Sequence, residues 1–437
     1  MNILIIGLTS SAPGGMEFHN LGNYIIMEPF INELQKTFPN ATIRTSIQMS
    51  DEYCKKWNIH SLRDKRFYLY GYYTARKTLV DIFKISLWKI LSVIGLKVNF
   101  LLNSSLLLKE LNDADLIIDF SGDIYGDNAT SAKFIESNVE LIFARILNKK
   151  IAMLMGSPGP FKSIWRQIVA KSNLNNIALL TNRENKSTEF LEYIGINGKH
   201  IYSAGCPSVL FKKENDENMR QIFEIEGLNE IRSKPLIGLI ICGWNMPEAP
   251  YNKWPRSDDE YNYFIKIIDF LIRQKNVDIC LMSHQNGTNK AGKLTKQNDH
   301  NIIDKLLELI GDKYTSKQLF TLQGLYTAAE SKAIISKFDI LVSGRIHGAV
   351  QGMSQCIPTA IIDYGHEPKA HKLKGFADIY KVGNLIIEPN NYEKSIYVLD
   401  ELIENSQVYH ESLKQRVPEV KKLALKNLSL LESYYNL

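Results

Sequence analysis

The stretch Phe338-Asp-Ile-Leu-Val-Ser-Gly-Arg345-Ile-His347-Gly348 reads as a short buried strand that runs directly into an Arg-x-His pair and a helix. Ile340, Leu341 and Val342 are apolar without alternation, the pattern of a strand covered on both faces. The helix expected from Gly348 to Gln355 has Gly348 and Gly352 four apart, so it can lie close to other backbone. A strand that delivers an arginine and a histidine to a helix N-terminus builds a site for phosphate or carboxylate. The helix offers N–H groups, the guanidinium a bidentate fork, and the imidazole a titratable proton. The competing reading is an arginine paired with an acid at the helix start, beside a histidine satisfied in the core. Residue types and spacing leave both open.

The same strand-then-helix rhythm extends outward in both directions. Upstream of the quoted stretch, strands are expected at Leu236–Cys242, Val277–Met282 and Leu319–Leu322, with helices at Asp259–Gln274 and Ile302–Ile310. Thr327-Ala-Ala-Glu330 is a capping box that opens the next helix, and Pro358–Asp363 is the strand beyond Arg345. The first half repeats the alternation. Strands Asn2–Ile6, Ala41–Ser46, Asp115–Phe120, Ile151–Met155 and Ile177–Leu180 are interleaved with helices near Asn23–Thr37, Ala132–Leu147 and Glu184–Ile194. This is the signature of α/β architecture with doubly wound parallel sheets. At 437 residues the chain exceeds one ordinary core. Two such domains are therefore expected, 1–212 and 230–405, joined through the polar run around Phe211–Lys234. A helical segment, 406–437, returns to the first domain, with Pro418 expected to break or kink it.

Composition narrows the class. The balance of 52 basic against 47 acidic residues, +5 in all, is too mild to argue for nucleic acid. Five scattered cysteines without a C-x-x-C pair fit a reducing compartment and exclude a disulfide framework or a structural zinc site. Met1-Asn-Ile-Leu-Ile-Ile-Gly7 has neither a basic n-region nor a small-residue cleavage site, so no secretory signal is expected and a cytoplasmic chain is. The apolar run Ile82–Leu102 carries Lys84, Lys89 and Lys97, which argues against spanning a bilayer. A core helix is the first expectation for it, and peripheral contact at the inner membrane face the second. G-x-G-x-x-G, G-x-x-x-x-G-K-[ST] and G-x-S-x-G are all absent, which excludes a dinucleotide fingerprint, a P-loop and a nucleophile elbow.

Ligands of open α/β sheets sit beyond the carboxyl ends of the strands, so the polar residues there are the candidates. In the first half these are the Asn20-Leu-Gly-Asn23 loop, the loop from Ser121 to Asp127, the turn Gly156-Ser-Pro-Gly-Pro160, and Arg183. Asp119, Asp123 and Asp127 lie four apart, which suits a metal, a hydroxyl-binding loop with a general base, or plain turn capping. In the second half they are the aromatic-rich Trp244–Arg256 segment, His284, the Gly344-Arg345-Ile-His347-Gly348 element, and Tyr364 with His366 and Lys369.

The run from Gly324 through Arg345-Ile-His347-Gly348, Gly352, Pro358 and Tyr364 to Lys369 resembles the core of the polysaccharide pyruvyl transferase family. Asn20-Leu-Gly-Asn23, Asp115-Leu-Ile-Ile-Asp-Phe-Ser121-Gly-Asp123, Gly156-Ser-Pro-Gly-Pro160 and Arg183-Glu-Asn-Lys-Ser187 are similar to other motifs of the family, in the same order. Ser121-Gly122 stands where a double glycine is usual, and Glu184 where an aspartate is. The resemblance implies two Rossmann-like domains facing a cleft, as in GT-B glycosyltransferases, with a C-terminal helix crossing back. It implies transfer of pyruvate from phosphoenolpyruvate to a sugar of a cell-surface glycan or its lipid-linked precursor, forming a ketal without a metal or other cofactor. Arg345 and Arg183 would clamp the donor, helped by Gly344, Gly348, Tyr364, His366 and Lys369. His347 or His284 would act as acid, Asp123 as base, and Asn23 and Ser121 would meet substrate. A nucleotide-sugar glycosyltransferase on the same scaffold and a non-catalytic glycan-binding protein are the alternatives.

Overall fold

The computed structural model describes all residues but 8–12, 18–19, 70, 248–253, 289–293, 365–369, 390 and 437, and the side chains of 288, 294, 370 and 436. The chain forms two compact units, one of residues 1–16, 30–206 and 423–437, the other of residues 17–29 and 207–422. The division expected from sequence places 17–29 in the first domain and all of 406–437 back upon it. In the units, 17–29 and 406–422 belong with the second sheet.

The first unit is built on strands β1 (Asn2–Ile6), β2 (Thr42–Thr45), β3 (Ile59–Ser61), β4 (Leu116–Asp119), β5 (Lys150–Gly156), β6 (Leu179–Asn182) and β7 (Ile201–Ser203). All pair in parallel, in the order β3-β2-β1-β4-β5-β6-β7. β4, Leu-Ile-Ile-Asp, is buried on both faces, which is why it lacks alternation. Ile117, Leu180, Phe134, Leu141 and Ile85 share one core beneath the helices.

The second unit has β8 (Leu236–Ile240), β9 (Asp278–Leu281), a two-stranded ribbon of β10 (Gly287–Thr288) and β11 (Leu294–Thr295), β12 (Leu319–Thr321), β13 (Ile340–Ser343), β14 (Thr359–Ile362) and β15 (Ile386–Ile387). Its main sheet is also parallel, in the order β12-β9-β8-β13-β14-β15. Counting strands within each main sheet, both run 3-2-1-4-5-6, the first with a seventh strand beyond, and the order reverses between the first and fourth strands. That reversal opens the crevice in which doubly wound sheets bind ligands. The fourth strand is β4 in one unit and β13 in the other. The loops carrying Ser121 and Arg345 therefore occupy equivalent positions in the two sheets.

The capping box forms as expected. Thr327 Oγ1 accepts from Glu330 N at 3.3 Å, and Glu330 Oε2 accepts from Thr327 N at 2.8 Å. Three expectations are corrected. The polar run 211–234 is no bare linker, because it holds a short helix, Arg220–Ile225, and inserts Met219, Phe223 and Leu228 into the second core. Its few apolar residues recur at helical spacing, which the surrounding charge conceals. Pro418 does not break the last helix, which runs from Ser406 to Asn436. The break between helices falls instead at Asn405, between Tyr392–Glu404 and Ser406–Asn436. The run Ile82–Leu102 is not a core helix. It lies partly in the helix Tyr72–Val93, whose buried residues are Thr74, Asp81 and Ile85, while Phe83, Ile90 and Val93 are exposed.

Candidate functional site

In the second unit, β13 ends at Ser343 and the helix Ile346–Met353 begins three residues later, with Arg345 as its extended N-cap. The first N–H groups of such a helix have no acceptor within it and point toward the sheet edge. Ser343 Oγ accepts from Arg345 N at 3.2 Å and donates to Arg345 O at 2.9 Å, which fixes the turn. Gly344 is required by crowding: a methyl group there would lie 1.9 Å from Asn245 Oδ1. Asn245 occupies that space because it accepts from Cys242 N at 2.9 Å and donates to Ile362 O at 3.2 Å, tying the loops after β8 and β14 together. Gly348 lies in the first turn and is buried.

The Arg345 guanidinium is braced by Asp299, the first residue of the helix Asp299–Ile310. Nε donates to Oδ2 at 3.1 Å and Nη2 to Oδ1 at 2.5 Å. Asp299 is 1% exposed, whereas the Arg345 side chain keeps 16% of its surface open. Burial acts to lower the Arg345 pKa, and Asp299 with Cys242 outweighs it, holding the group above its ordinary value. The arginine-paired-with-an-acid reading thus describes one edge of Arg345. Two of its five N–H donors serve that pair.

Asp299 Oδ2 also accepts from the backbone N–H of His284 at 3.2 Å. His284 is buried, and its Nε2 lies 3.1 Å from Gln351 Oε1. Gln351 Nε2 donates to Ala328 O at 3.0 Å, which orients the amide so that Oε1 faces the imidazole. Nε2 of His284 therefore carries the proton and Nδ1 the lone pair. Burial first, and the Arg345 charge second, depress the His284 pKa from 6.5 to about 4. At neutral pH this imidazole is uncharged, and Nδ1 offers a lone pair to a hydrogen-bond donor.

His347 sits half-buried in the first helical turn, its ring edge-on to Phe376 at 6.3 Å between centroids. The helix Leu21–Thr37 starts against it. A methyl group at Gly22 would lie 2.5 Å from His347 Nδ1, so a glycine is needed for this approach. Asn20 fixes the entry to that helix by accepting from Gly22 N at 3.1 Å and bridging to Gln285, and Asn23 follows half-buried. Leu21 and Ile25 anchor the segment on Phe211 and Ala328. Asn23, Gly344, Arg345, His347, Gly348 and His284 thus belong to one unit, around the N-termini of three helices. Tyr364 is buried in the same unit and stacks obliquely on Trp244, 5.6 Å between centroids. His366 and Lys369 lie outside the described residues.

In the first unit the loops after β4 and β5 are laced together. Ser157 N donates to Gly122 O at 2.8 Å, Gly159 N to Tyr125 O at 2.7 Å, and Asp127 N to Pro160 O at 2.9 Å. Arg183, at the end of β6, donates its backbone N–H to Gly156 O at 3.0 Å and its Nε to Ser157 Oγ at 2.7 Å. Ser121, Asp123 and Arg183 therefore share one rim of connected loops. Asp119 is engaged below them, accepting from Ser121 N at 2.7 Å and from the Tyr125 hydroxyl. Burial raises its carboxyl pKa, against the lowering effect of Ser121 and Tyr125. Asp127 accepts from Lys162 N at 2.5 Å and faces Arg166. Asp123 is half-buried above them. Among the described residues no three His, Cys, Asp or Glu side chains gather to hold a metal ion.

Asp299 and Gln351 were not singled out from sequence, and Ser157 was named only within the turn Gly156–Pro160, without its contact to Arg183. Asn298-Asp299 before an apolar helical run is a helix-start signal, yet nothing local links it to an arginine 46 residues away.

The sequence profile of the polysaccharide pyruvyl transferase family matches residues 20–366. No curated protein matches the chain. Solved structures that share its fold include Anabaena HepE in complex with UDP, at 12% identity and a TM-score of 0.57 over 98% of this chain and 100% of that one. A glycosyltransferase of Rickettsia africae gives 12% and 0.58, over 100% and 98% of the chains. The UDP-GlcNAc 2-epimerase of Neisseria meningitidis, bound to UDP-GlcNAc, gives 11% and 0.56, over 98% of each. The fold is thus that of GT-B-like glycosyltransferases and epimerases, with two parallel-sheet α/β domains. The profile spans well over half of the 437 residues, and the chain belongs to the polysaccharide pyruvyl transferase family of transferases.

Proposed function

We propose that this family member transfers pyruvate from phosphoenolpyruvate to two hydroxyls of a glycan sugar, closing a ketal and releasing inorganic phosphate. The observation that carries this reading is Arg345, braced by buried Asp299 at a helix N-terminus with His347 in the first turn. Phosphoenolpyruvate bears a phosphate and a carboxylate on one carbon, and its recognition calls for a rigid guanidinium edge with helix N–H groups. Arg345 supplies that edge. Arg183, steadied by Ser157, is the second cation in this reading.

The reaction needs a proton at the methylene carbon while a sugar hydroxyl bonds to C2. The C2–O bond to phosphorus then breaks, phosphate departs with its electron pair, and the second hydroxyl closes the ring. Of the two hydroxyl protons, one balances the new methyl group and the other leaves with phosphate or solvent. His347 is the proton donor of this scheme. His284, neutral with Nδ1 open as a lone pair, suits the accepting role better than the donating one. Asp123, on the rim of the first unit, is the proton acceptor of this scheme. Acid–base assistance of this kind contributes about 10²–10⁴-fold. The Trp244–Tyr364 pair offers aromatic surface for stacking a sugar ring.

The test supplies purified protein with phosphoenolpyruvate, a panel of nucleotide sugars and candidate glycans, following inorganic phosphate and acceptor mass. Phosphate release with a mass gain of pyruvate less water is expected. Arg345→Lys, which keeps a charge beside Asp299 but loses the fork, is expected to lower turnover about 10²-fold or more. Hexose transfer from a nucleotide sugar would overturn the reading.

A further inference from the structure

The helix Tyr72–Val93 turns Ile85 toward the core together with polar Thr74 and Asp81, and leaves most of its other apolar residues in solvent. Leu79, Phe83, Ile90 and Ile94 follow one another at spacings of four and seven, along one face, and are 66%, 67%, 62% and 67% exposed. Leu96 and Phe100 extend the apolar surface through the following turn. The inward side is pinned by polar groups. Asp81 pairs with Arg66, both nearly inaccessible, and Thr74 Oγ1 donates to Arg66 O at 3.2 Å. Lys77 reaches Asp64 at 3.0 Å. These anchors fix which face points outward, so the exposed stripe is a property of the fold.

The charge around the stripe has one sign. From Gly71 to Lys109 the only acidic residue is Asp81, which is buried, while Arg76, Lys89 and Lys97 are exposed. Beside the helix a cavity of about 370 Å³ is lined by Tyr73, Arg76, Lys77, Lys84 and Ser104, together with the paired Asp64 and Asp81. Among the described residues no helix is long and apolar enough to cross a membrane. An apolar stripe flanked by cations, on a helix that cannot span, suits a bilayer surface of negative charge. A second copy of the chain is a poorer occupant, since a twofold contact would set these cations against themselves.

We propose that the surface formed by Tyr72–Val93 and the segment to Phe100 docks in the plane of an anionic lipid bilayer. The basic cavity would receive a headgroup phosphate. This stands apart from the identity of the donor.

The test is co-sedimentation of the full chain with vesicles of phosphatidylcholine alone, or mixed with phosphatidylglycerol. Binding to the mixed vesicles is expected to be roughly tenfold stronger or more, and to weaken as salt rises. The paired substitution Phe83→Glu with Ile90→Glu should abolish binding. Lys89→Glu with Lys97→Glu, which leaves the apolar stripe in place, should erase the preference for anionic lipid. Three results would overturn the proposal: no sedimentation with mixed vesicles at low salt, equal binding to both vesicles, or undiminished binding by Phe83→Glu/Ile90→Glu. A chain that ignores vesicles and dimerises in solution, becoming monomeric on that double substitution, would assign the face to a second copy.

Discussion

Asp299 receives two donors of Arg345 and the backbone N–H of His284, so one buried carboxylate positions both residues. Removing Arg345 outright would strand that carboxylate, at a cost of about 3–5 kcal/mol. Arg345→Ala therefore confounds activity with stability, and the lysine variant is the cleaner probe. Gly22 offers a second. A methyl group there presses on His347 Nδ1, the end of a side chain that can yield. Gly22→Ala is thus expected to leave thermal unfolding nearly unchanged while lowering kcat/KM for ketal formation about 10²-fold through misplacement of the ring. Unchanged kinetics would remove His347 from the chemistry. His284 gives a pH signature. Its folded pKa lies below its unfolded one, so its stabilising effect is complete above 6.5 and is lost as pH falls toward about 4. Between about pH 7.5 and 5 the wild type should lose on the order of 2 kcal/mol more than His284→Asn in urea unfolding. Parallel losses would contradict the depressed pKa. At this scale the sequence was informative where chemistry is local: Arg345, His347 and Gly344 stand in one short motif. Asp299, Gln351 and Ser157 act only through tertiary contacts, and no spacing rule reveals them.

Among the secondary elements, strands were the most legible, because burial on both faces leaves a continuous apolar run. In the second sheet β8, β9, β12, β13 and β14 fall within a residue or two of their expected limits, whereas the two-residue edge strand β15 was not expected, being too short to leave an apolar run. Helices were read less well where polarity faces inward. Thr74 and Asp81 take the core side of Tyr72–Val93, and periodicity alone cannot tell which stripe faces out. The helix Ser131–Ile146 poses a similar puzzle, with Glu136 and Glu140 both buried. Burial first, and Glu136 second, raise the Glu140 pKa from 4.5 to about 7. Its folded pKa exceeds the unfolded value, so its contribution is complete below 4.5 and lost as pH rises through about 7. Glu140→Gln should therefore stabilise the protein at about pH 8, by roughly 1–3 kcal/mol, and have little effect near pH 4.5. Destabilisation at pH 8 would show that the carboxylate is needed as an anion.

For the whole molecule, the alternation of strands and helices was enough to imply two parallel sheets, and both share one strand order with a loop of candidate residues after the fourth strand. The apportioning of the chain between them was not legible, because residues 17–29 pack with a sheet that begins at Leu236. That arrangement has a consequence for synthesis. Leu21 and Gly22 are synthesised well before Phe211, Ala328 and His347, against which they rest. At about 5–20 residues per second, the interval from Gly22 to His347 is roughly 15–65 s. Until it ends the leading segment lacks part of its seat, and a nascent chain halted before His347 has no Gly22–His347 junction to form. Seating of Asn20–Asn23 against His347 is thus a late folding event, set by the order of synthesis rather than by local propensity.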